Sequence, residues 1–145
     1  MLNSKMGSYL AVLATIDPQA VVATELFSDV IDCSDTDEIM AIALLGGWAS
    51  ETIDFRVCYC DSDGSNPVTL KAATQLAAHA TNNDNTQLVI CVNANQLAVS
   101  GKQHIKVGLV SGSSSGGTAG VVVLGTSRYI PASGQDLASV QQIAQ

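Results

Sequence analysis

Short runs of β-branched and aliphatic residues, separated by connections of Asn, Ser, Gly and Asp, most constrain what this chain can fold into. The clearest example lies between Gln103 and Arg128, where QHIKVGLV and TAGVVVLGTSR flank the loop SGSSSGG. Runs of this length between turn residues are typical of strands, and Glu51–Asp61 (ETIDFRVCYCD) alternates as a half-buried strand does. The pattern predicts about six or seven strands in an all-β, antiparallel sandwich of jelly-roll type.

Four further segments add to this prediction. Thr24–Asp32 alternates partly and is predicted to be a strand. The continuous apolar run of Glu38–Leu45 predicts a buried strand, and Gln87–Asn93 (QLVICVN) is predicted to be a strand buried on both faces. Val68–Ala80 has Ala-rich spacing that fits either a helix or a strand followed by a long connection.

The chain is expected to form one domain, because 145 residues suffice for a single hydrophobic core. Residues 1–20 lack a clean period and are predicted to be an N-terminal arm, with a short helix or strand at Tyr9–Ile16 and an end at Pro18. Residues 21–132 are then the sandwich domain. Residues 133–145, rich in Gln and Ala, are predicted to be a C-terminal tail.

Charge is scarce and unevenly distributed. Charged residues make up 13% of the chain, about half the usual fraction, so a polar uncharged surface and an area covered by other subunits are both expected. The net charge of −7 argues against a nucleic-acid partner. Residues 1–65 hold eleven of the thirteen acids, whereas residues 66–145 hold four of the six bases. This asymmetry fits either two faces of opposite sign or solvated loops on both halves.

The four cysteines are predicted to be reduced structural thiols. Cys58 and Cys60 are two residues apart in a strand-like run, so they share a face and cannot readily join in a disulfide. Cys33 and Cys91 lie far from them, and the spacing of the four is not that of a zinc site. No signal peptide or membrane-spanning run is visible, so we expect a protein made in the cytosol with no membrane partner. Because the spacing of the cysteines is not that of a zinc site, we also expect no metal.

No motif predicts catalysis. Asp61–Gly64 has the start of a calcium loop without the later ligands, so a hairpin turn is expected. The acids of Asp32–Glu38 are explained by turn chemistry. His79 and His104 are the only histidines, and no G-x-S-x-G elbow accompanies them. The SGSSSGG loop is followed by a strand rather than the helix of a phosphate loop, so we expect no enzyme and no cofactor.

The order of elements between Ser28 and Ala132 carries a family resemblance. Its parts, in chain order, are the strand end VID at 30–32, an apolar run entering Gly46, a strand leading into DSDGS at 55–65, an NDN turn before the apolar strand at 83–92, the strand HIKVGLV, and an Ala/Gly/Val strand finishing near YIPA at 129–132. This order resembles small virion proteins of tailed bacteriophages that are encoded beside the major capsid gene.

The resemblance implies a capsid decoration (cement) or minor head protein. Such a protein lies on the capsid surface of the virion after assembly in the host cytoplasm, binds the major capsid protein, and forms a homo-oligomer, often a trimer. No catalytic residue is implied. A tail or head–tail junction component remains an alternative, as does a carbohydrate-binding module that would use Trp48, Tyr59 or Tyr129.

Contacts with partners are predicted in two segments, the arm (Met1–Ala20) and the loop Ser111–Gly117. Lys102 and Lys106 are an even number of residues apart, so they are expected to share a sheet face, where they either dock on an acidic partner or remain solvated. The residues predicted to bind a partner are Lys5, Tyr9, Ser113, Ser114, Ser115, Lys102 and Lys106.

Overall fold

A computed structural model describes residues 9–48, 51–77, 83–114 and 116–128. Within these residues the chain forms nine β-strands and one short helix. The elements are β1 (Leu10–Ala20), β2 (Leu26–Phe27), β3 (Ile31–Asp32), β4 (Thr36–Leu45), β5 (Ile53–Cys60), β6 (Val68–Ala72), β7 (Gln87–Asn93), α1 (Ala94–Ala98), β8 (His104–Ser111) and β9 (Thr118–Ser127).

The strands form two antiparallel sheets that pack face to face. Sheet A has the order β1-β9-β4-β7, and sheet B has the order β2-β8-β5-β6, with β3 also paired to β8. When β2 and β3 are taken as one interrupted strand, each sheet has four strands in the order of a jelly roll, the fold of two interlocked Greek keys. The predicted all-β antiparallel sandwich is confirmed.

The core lies between the two inner faces, which differ in side-chain size. Sheet A contributes small residues such as Ala14, Ala41 and Ala43, each fully buried. Sheet A also buries larger residues such as Ile39 and Ile90, but most of the largest fully buried side chains come from sheet B and fill the space that the alanines leave between sheets about 10 Å apart. The large buried side chains of sheet B are Ile53, Phe55, Val57, Ile105, Val107 and Leu109.

The predicted N-terminal arm of residues 1–20 is wrong over most of its length. Leu10–Ala20 is the strand β1, and its Ala11, Ala14 and Ile16 are buried in the sandwich. The register with β9 shifts twice, between Val12 and Ala14 and between Ile16 and Gln19. Such bulges break the two-residue period that a strand prediction depends on. The sandwich therefore begins by Leu10 rather than at residue 21, while residues 1–8 and the predicted tail 133–145 lie outside the described residues.

The predicted burial of two strands is also wrong. In β4 and β7 only alternate side chains face the core, and the others point to solvent on the outer side of sheet A. For the segment from Val68, the helical alternative is wrong, since Val68–Ala72 pairs with β5 as a strand. The predicted strand Thr24–Asp32 is present as two short strands, β2 and β3.

The Ser/Gly loop Ser111–Gly117 crosses between the sheets instead of closing a hairpin, because β8 belongs to sheet B and β9 to sheet A. Both its ends are held by backbone hydrogen bonds. Gly112 N donates to Thr52 O at 3.0 Å, and Val21 N donates to Gly117 O at 2.8 Å. A Cβ at Gly117 would overlap the carbonyl oxygen of Gly47, so this close crossing requires glycine.

Candidate functional site

The outer face of sheet A is apolar across its centre. Residues paired in register on neighbouring strands point to the same side of a sheet, so the outward side chains form rows that cross it. Successive rows, given in the order β1, β9, β4 and β7, are Leu10, Thr126, Glu38 and Asn93; then Val12, Leu124, Met40 and Cys91; then Thr15, Val122, Ile42 and Val89; and finally Gly120, Leu44 and Gln87 on β9, β4 and β7.

Large apolar side chains on this face are open to solvent. Met40 is 42% exposed, Leu44 49% and Val89 51%. An exposed apolar patch of neighbouring residues marks a surface that is covered in use, whereas single exposed apolar residues need no explanation. We call the following set the outer apolar face: Met40, Ile42, Leu44, Val89, Cys91, Val122 and Leu124.

A groove of about 440 Å³ runs over one end of this face. Its floor includes Leu10, Met40 and Leu124. Three polar side chains on its rim have partners within the chain: Lys71 Nζ donates to Cys91 O at 2.9 Å, and the side chains of Asn93 and Gln96 bond to each other's backbone N–H as a capping box. The floor of the groove therefore suits an apolar side chain, and the Glu38 carboxylate adds a charge at its edge.

The outer face of sheet B is covered by its own side chains. Arg56 donates two hydrogen bonds to Glu25, from Nε at 2.7 Å and from Nη2 at 2.6 Å, and a third from Nη1 to Thr69 Oγ1 at 2.7 Å. The Glu25 carboxylate lies directly over Gly108, where a Cβ would overlap it and touch the Phe27 ring. This bidentate ion pair covers the centre of the outer face of sheet B.

Two lysines extend this cover to the turn between β5 and β6. Lys106 Nζ lies 4.1 Å from the centre of the Phe27 ring and donates to Gly64 O at 2.6 Å. Lys102 forms an ion pair with Asp61. The hydrogen bond from Lys102, with others from Asn66 and Ser65, lowers the pKa of Asp61 to about 2. The predicted hairpin turn is confirmed, since the strands that it joins are paired.

The cysteines mark the difference between the two outer faces. Cys58 and Cys60 point outward from sheet B, as predicted on one face, yet they are 0% and 1% exposed. Burial raises the pKa of both thiols, and burial raises that of Cys33 to about 12. Cys91, on the outer face of sheet A, is exposed. All four thiols are free, as expected.

The structure does not bring the predicted contact residues together. Lys102 and Lys106 are engaged within the chain on the sheet B side. Tyr9 precedes Leu10, at the end of β1 that pairs with the end of β9. Ser113 and Ser114 follow the far end of β8, at the opposite end of the sandwich. These residues therefore form no single surface, and Lys5 and Ser115 lie outside the described residues.

The charge asymmetry of the sequence is partly used inside the molecule. Lys102 with Asp61, and Arg128 with Asp37 at 2.7 Å, each join a base of the second half to an acid of the first. Such pairs of partly exposed groups contribute little to stability, but they leave fewer charges for a partner.

The aromatic residues considered for sugar binding are not arranged as a stacking platform. Trp48 is 4% exposed, and its backbone N–H donates to Asp84 Oδ1 at 2.6 Å. Tyr59 is partly buried and packs against the core. Tyr129 lies outside the described residues.

Sequence reasoning missed the outer apolar face. Its signal is present in EIMAIALL and QLVICVN, where both alternating sets of residues are apolar. The pattern predicts burial inside one chain, although it fits equally a strand with one face in the core and the other against a second molecule.

Comparison with protein-family models finds none that matches this sequence, and comparison with curated proteins finds no match either. In the ranges that the structure describes, no His, Cys, Asp and Glu side chains form a group of three or more able to hold a metal ion. Over the same ranges, no helix is sufficiently long and apolar to cross a membrane.

Proposed function

We propose that this chain is a structural virion protein that decorates a capsid, binding the outer shell and stabilising contacts between major capsid subunits. It acts by assembly and not by catalysis. The family pattern between Ser28 and Ala132 supports the capsid role, and the geometry supports the mode of action.

The observation that carries the proposal is the outer apolar face of the jelly roll. Exposed apolar surface of this kind favours association with protein, because burying it removes apolar area from water. Jelly rolls occur in viral capsid and lectin domains, among others, so the fold agrees with the proposal without deciding it.

Stabilisation of the shell follows from mass action. A protein that binds the assembled shell and not the free subunits shifts the equilibrium toward the shell by an amount set by its concentration relative to its dissociation constant. No chemistry on the capsid is required, which agrees with a contact surface built from apolar side chains.

A tail or head–tail junction component is the second structural reading, and copy number separates the two. A decoration protein is present in many copies that follow the capsid lattice, whereas a junction ring has a few copies at one vertex. A carbohydrate-binding module is less well supported, because Trp48 is buried and Tyr59 packs on the core.

The test is size-exclusion chromatography with light scattering on the purified protein, with and without empty phage heads. We expect co-elution with the heads in many copies per particle, and heads that withstand heating better when decorated. Protein that elutes apart from the heads at saturating concentration would contradict the proposal, and a few copies per head would favour the junction.

A further inference from the structure

We propose that β7 pairs edge to edge with β7 of a second copy of this chain, so that two copies of the four-stranded sheet A join into one continuous antiparallel sheet. This inference goes beyond the proposed function and does not use its surface, because the contact lies along the side of the sandwich. The two-fold axis stands perpendicular to the joined sheet. Both outer apolar faces therefore point the same way and stay open to a capsid.

The backbone groups of β7 point alternately toward β4 and away from it. In a strand the N–H and C=O of one residue point the same way, and the direction reverses at the next residue. Leu45 N on β4 donates to Thr86 O at 2.9 Å, so the even-numbered residues face β4. The side chain of Lys71, on β6 in the other sheet, donates to Cys91 O at 2.9 Å, so the odd-numbered residues face away from β4.

Most of these outward groups have no partner in the chain. β7 is the end strand of sheet A and pairs with β4 alone. At its end, Asn93 N donates to Gln96 Oε1 at 3.2 Å. Within the described residues, the outward N–H groups of Gln87, Val89 and Cys91 have no acceptor. The stretch open to pairing is thus centred on Val89.

The other edges that the structure describes carry features that hinder the addition of a strand, whereas β7 carries none of them. Bulges, Pro, charged side chains and short length are the usual protections of an edge. β1 has two register shifts and contains Pro18, β6 has a register shift and contains Lys71, and β2 and β3 have two residues each. β7 has seven residues in an unbroken register, with no Pro and no charged residue.

A second copy supplies the matching strand. When two antiparallel copies of β7 are centred on Val89, each free N–H meets a C=O of the other copy. Val89 then pairs with Val89 of the second copy, and Gln87 exchanges hydrogen bonds with Cys91 of that copy. This pairing ends after two chains, because each sandwich has one unprotected edge among those described. Since β7 has no charged side chain on either face, no like charges of this strand meet at the axis.

Lys71 does not obstruct the pairing. A carbonyl oxygen accepts two hydrogen bonds, so Cys91 O can keep Lys71 and still accept from the second copy. In the register centred on Val89, Cys91 and its copy lie four residues apart along the seam, or about 14 Å. The two lysines bound to them therefore do not meet.

The first measurement is the mass of the purified full chain by light scattering at micromolar concentrations. One chain has a mass of 14.9 kDa, and we expect twice that value for the wild type. Val89→Pro removes the central N–H of the seam, and its mass should fall to that of one chain. Because this N–H points away from β4, the sandwich should tolerate the proline and keep its circular dichroism. The matched control, Val89→Ala, keeps the N–H and should keep the doubled mass.

The second measurement is hydrogen exchange of the wild type, which does not depend on any variant. The amide hydrogens of Gln87, Val89 and Cys91 have no acceptor in the single chain, so we expect them to exchange slowly in the dimer and rapidly on dilution to the monomer. Leu44→Lys, on the outer apolar face but away from this edge, should leave both the mass and this protection unchanged.

A wild-type monomer would overturn the inference. So would a dimer in which these three amides exchange freely, or one that survives Val89→Pro and is lost in Leu44→Lys, since the contact would then lie elsewhere. A monomer that binds phage heads would overturn this inference alone, whereas a dimer that ignores heads would contradict only the proposed function.

Discussion

The outer faces of the two sheets differ in how far they are shielded from solvent. Both sheets bury their inner faces in the core, so the comparison concerns the sides that point away from it. Sheet B covers that side with its own residues, chiefly the Arg56–Glu25 pair over Gly108 and Lys106 over Phe27. Sheet A leaves Met40, Leu44 and Val89 between 42% and 51% exposed.

The difference shows which outer face is already covered within the chain and which one is open to a partner. A covered face has its polar groups paired and its thiols buried, so it gains nothing from a partner. An exposed apolar face is unfavourable in water, and packing another surface on it lowers the free energy. The same residue type shows both outcomes, since Cys58 is buried on one outer face and Cys91 is exposed on the other.

Among the changes that test the cover of sheet B, Gly108→Ala should have the largest effect on folding. The added methyl group would overlap the Glu25 carboxylate and press on Phe27, so the cover of sheet B must shift. We expect a loss of about 1–3 kcal/mol in the free energy of unfolding, measured by urea denaturation. The control is Gly47→Ala, where no atom lies within 4 Å of the new Cβ, and its effect should stay within about 0.5 kcal/mol.

Equal stabilities for these two variants would show that the side chains over sheet B move aside without a measurable cost in the free energy of unfolding. The contrast between a closed face and an open one would then lose its physical basis on the sheet B side.

A smaller effect should come from the ion pair itself. The Glu25 and Arg56 side chains are 20% and 32% exposed, so solvent screens their attraction only in part. A double-mutant cycle with Glu25→Gln and Arg56→Met should give a coupling free energy of about 1 kcal/mol. A coupling near zero would mean that the pair covers Gly108 without stabilising the fold.

The smallest effect concerns pH. Lys102 lowers the pKa of Asp61 from 3.8 to about 2, so the ionised carboxylate favours the folded state. This contribution is complete above the unfolded pKa of 3.8 and is lost as the pH falls toward 2. We expect Asp61→Asn to lack the part of the acid-induced loss of stability that the wild type shows in this window. Parallel curves of unfolding free energy against pH for both proteins would exclude the contribution.

The strands of this fold were largely predictable because most of them carry clear local signals. Ile53–Cys60 alternates, and His104–Ser111 and Thr118–Ser127 are rich in β-branched residues. β1 was predicted only as a short helix or strand at Tyr9–Ile16 within an arm, because two bulges interrupt its alternation, and Pro18 lies in the second of them. A local pattern cannot predict which strands pair, so it also cannot predict that Ser111–Gly117 crosses from one sheet to the other.

The outer apolar face was not predictable for a different reason. Sequence shows that both sides of β4 and β7 are apolar, but not which side lies in the core of the chain and which is left for another molecule. The partners of Lys102 and Lys106 were equally hidden, because Asp61 and Gly64 are about forty residues away in sequence. Contacts of this kind depend on the complete topology.

The most direct test of the account is the rate at which each thiol of the native protein reacts with a maleimide, read out by peptide mass spectrometry. The account predicts that Cys91 reacts rapidly in the free protein and is protected when the protein is bound to empty phage heads. Cys58 and Cys60 should stay protected in both states, because the chain's own side chains cover them. Cys91 reacting equally fast in the free and the head-bound protein would contradict the claim that the outer apolar face is an assembly surface.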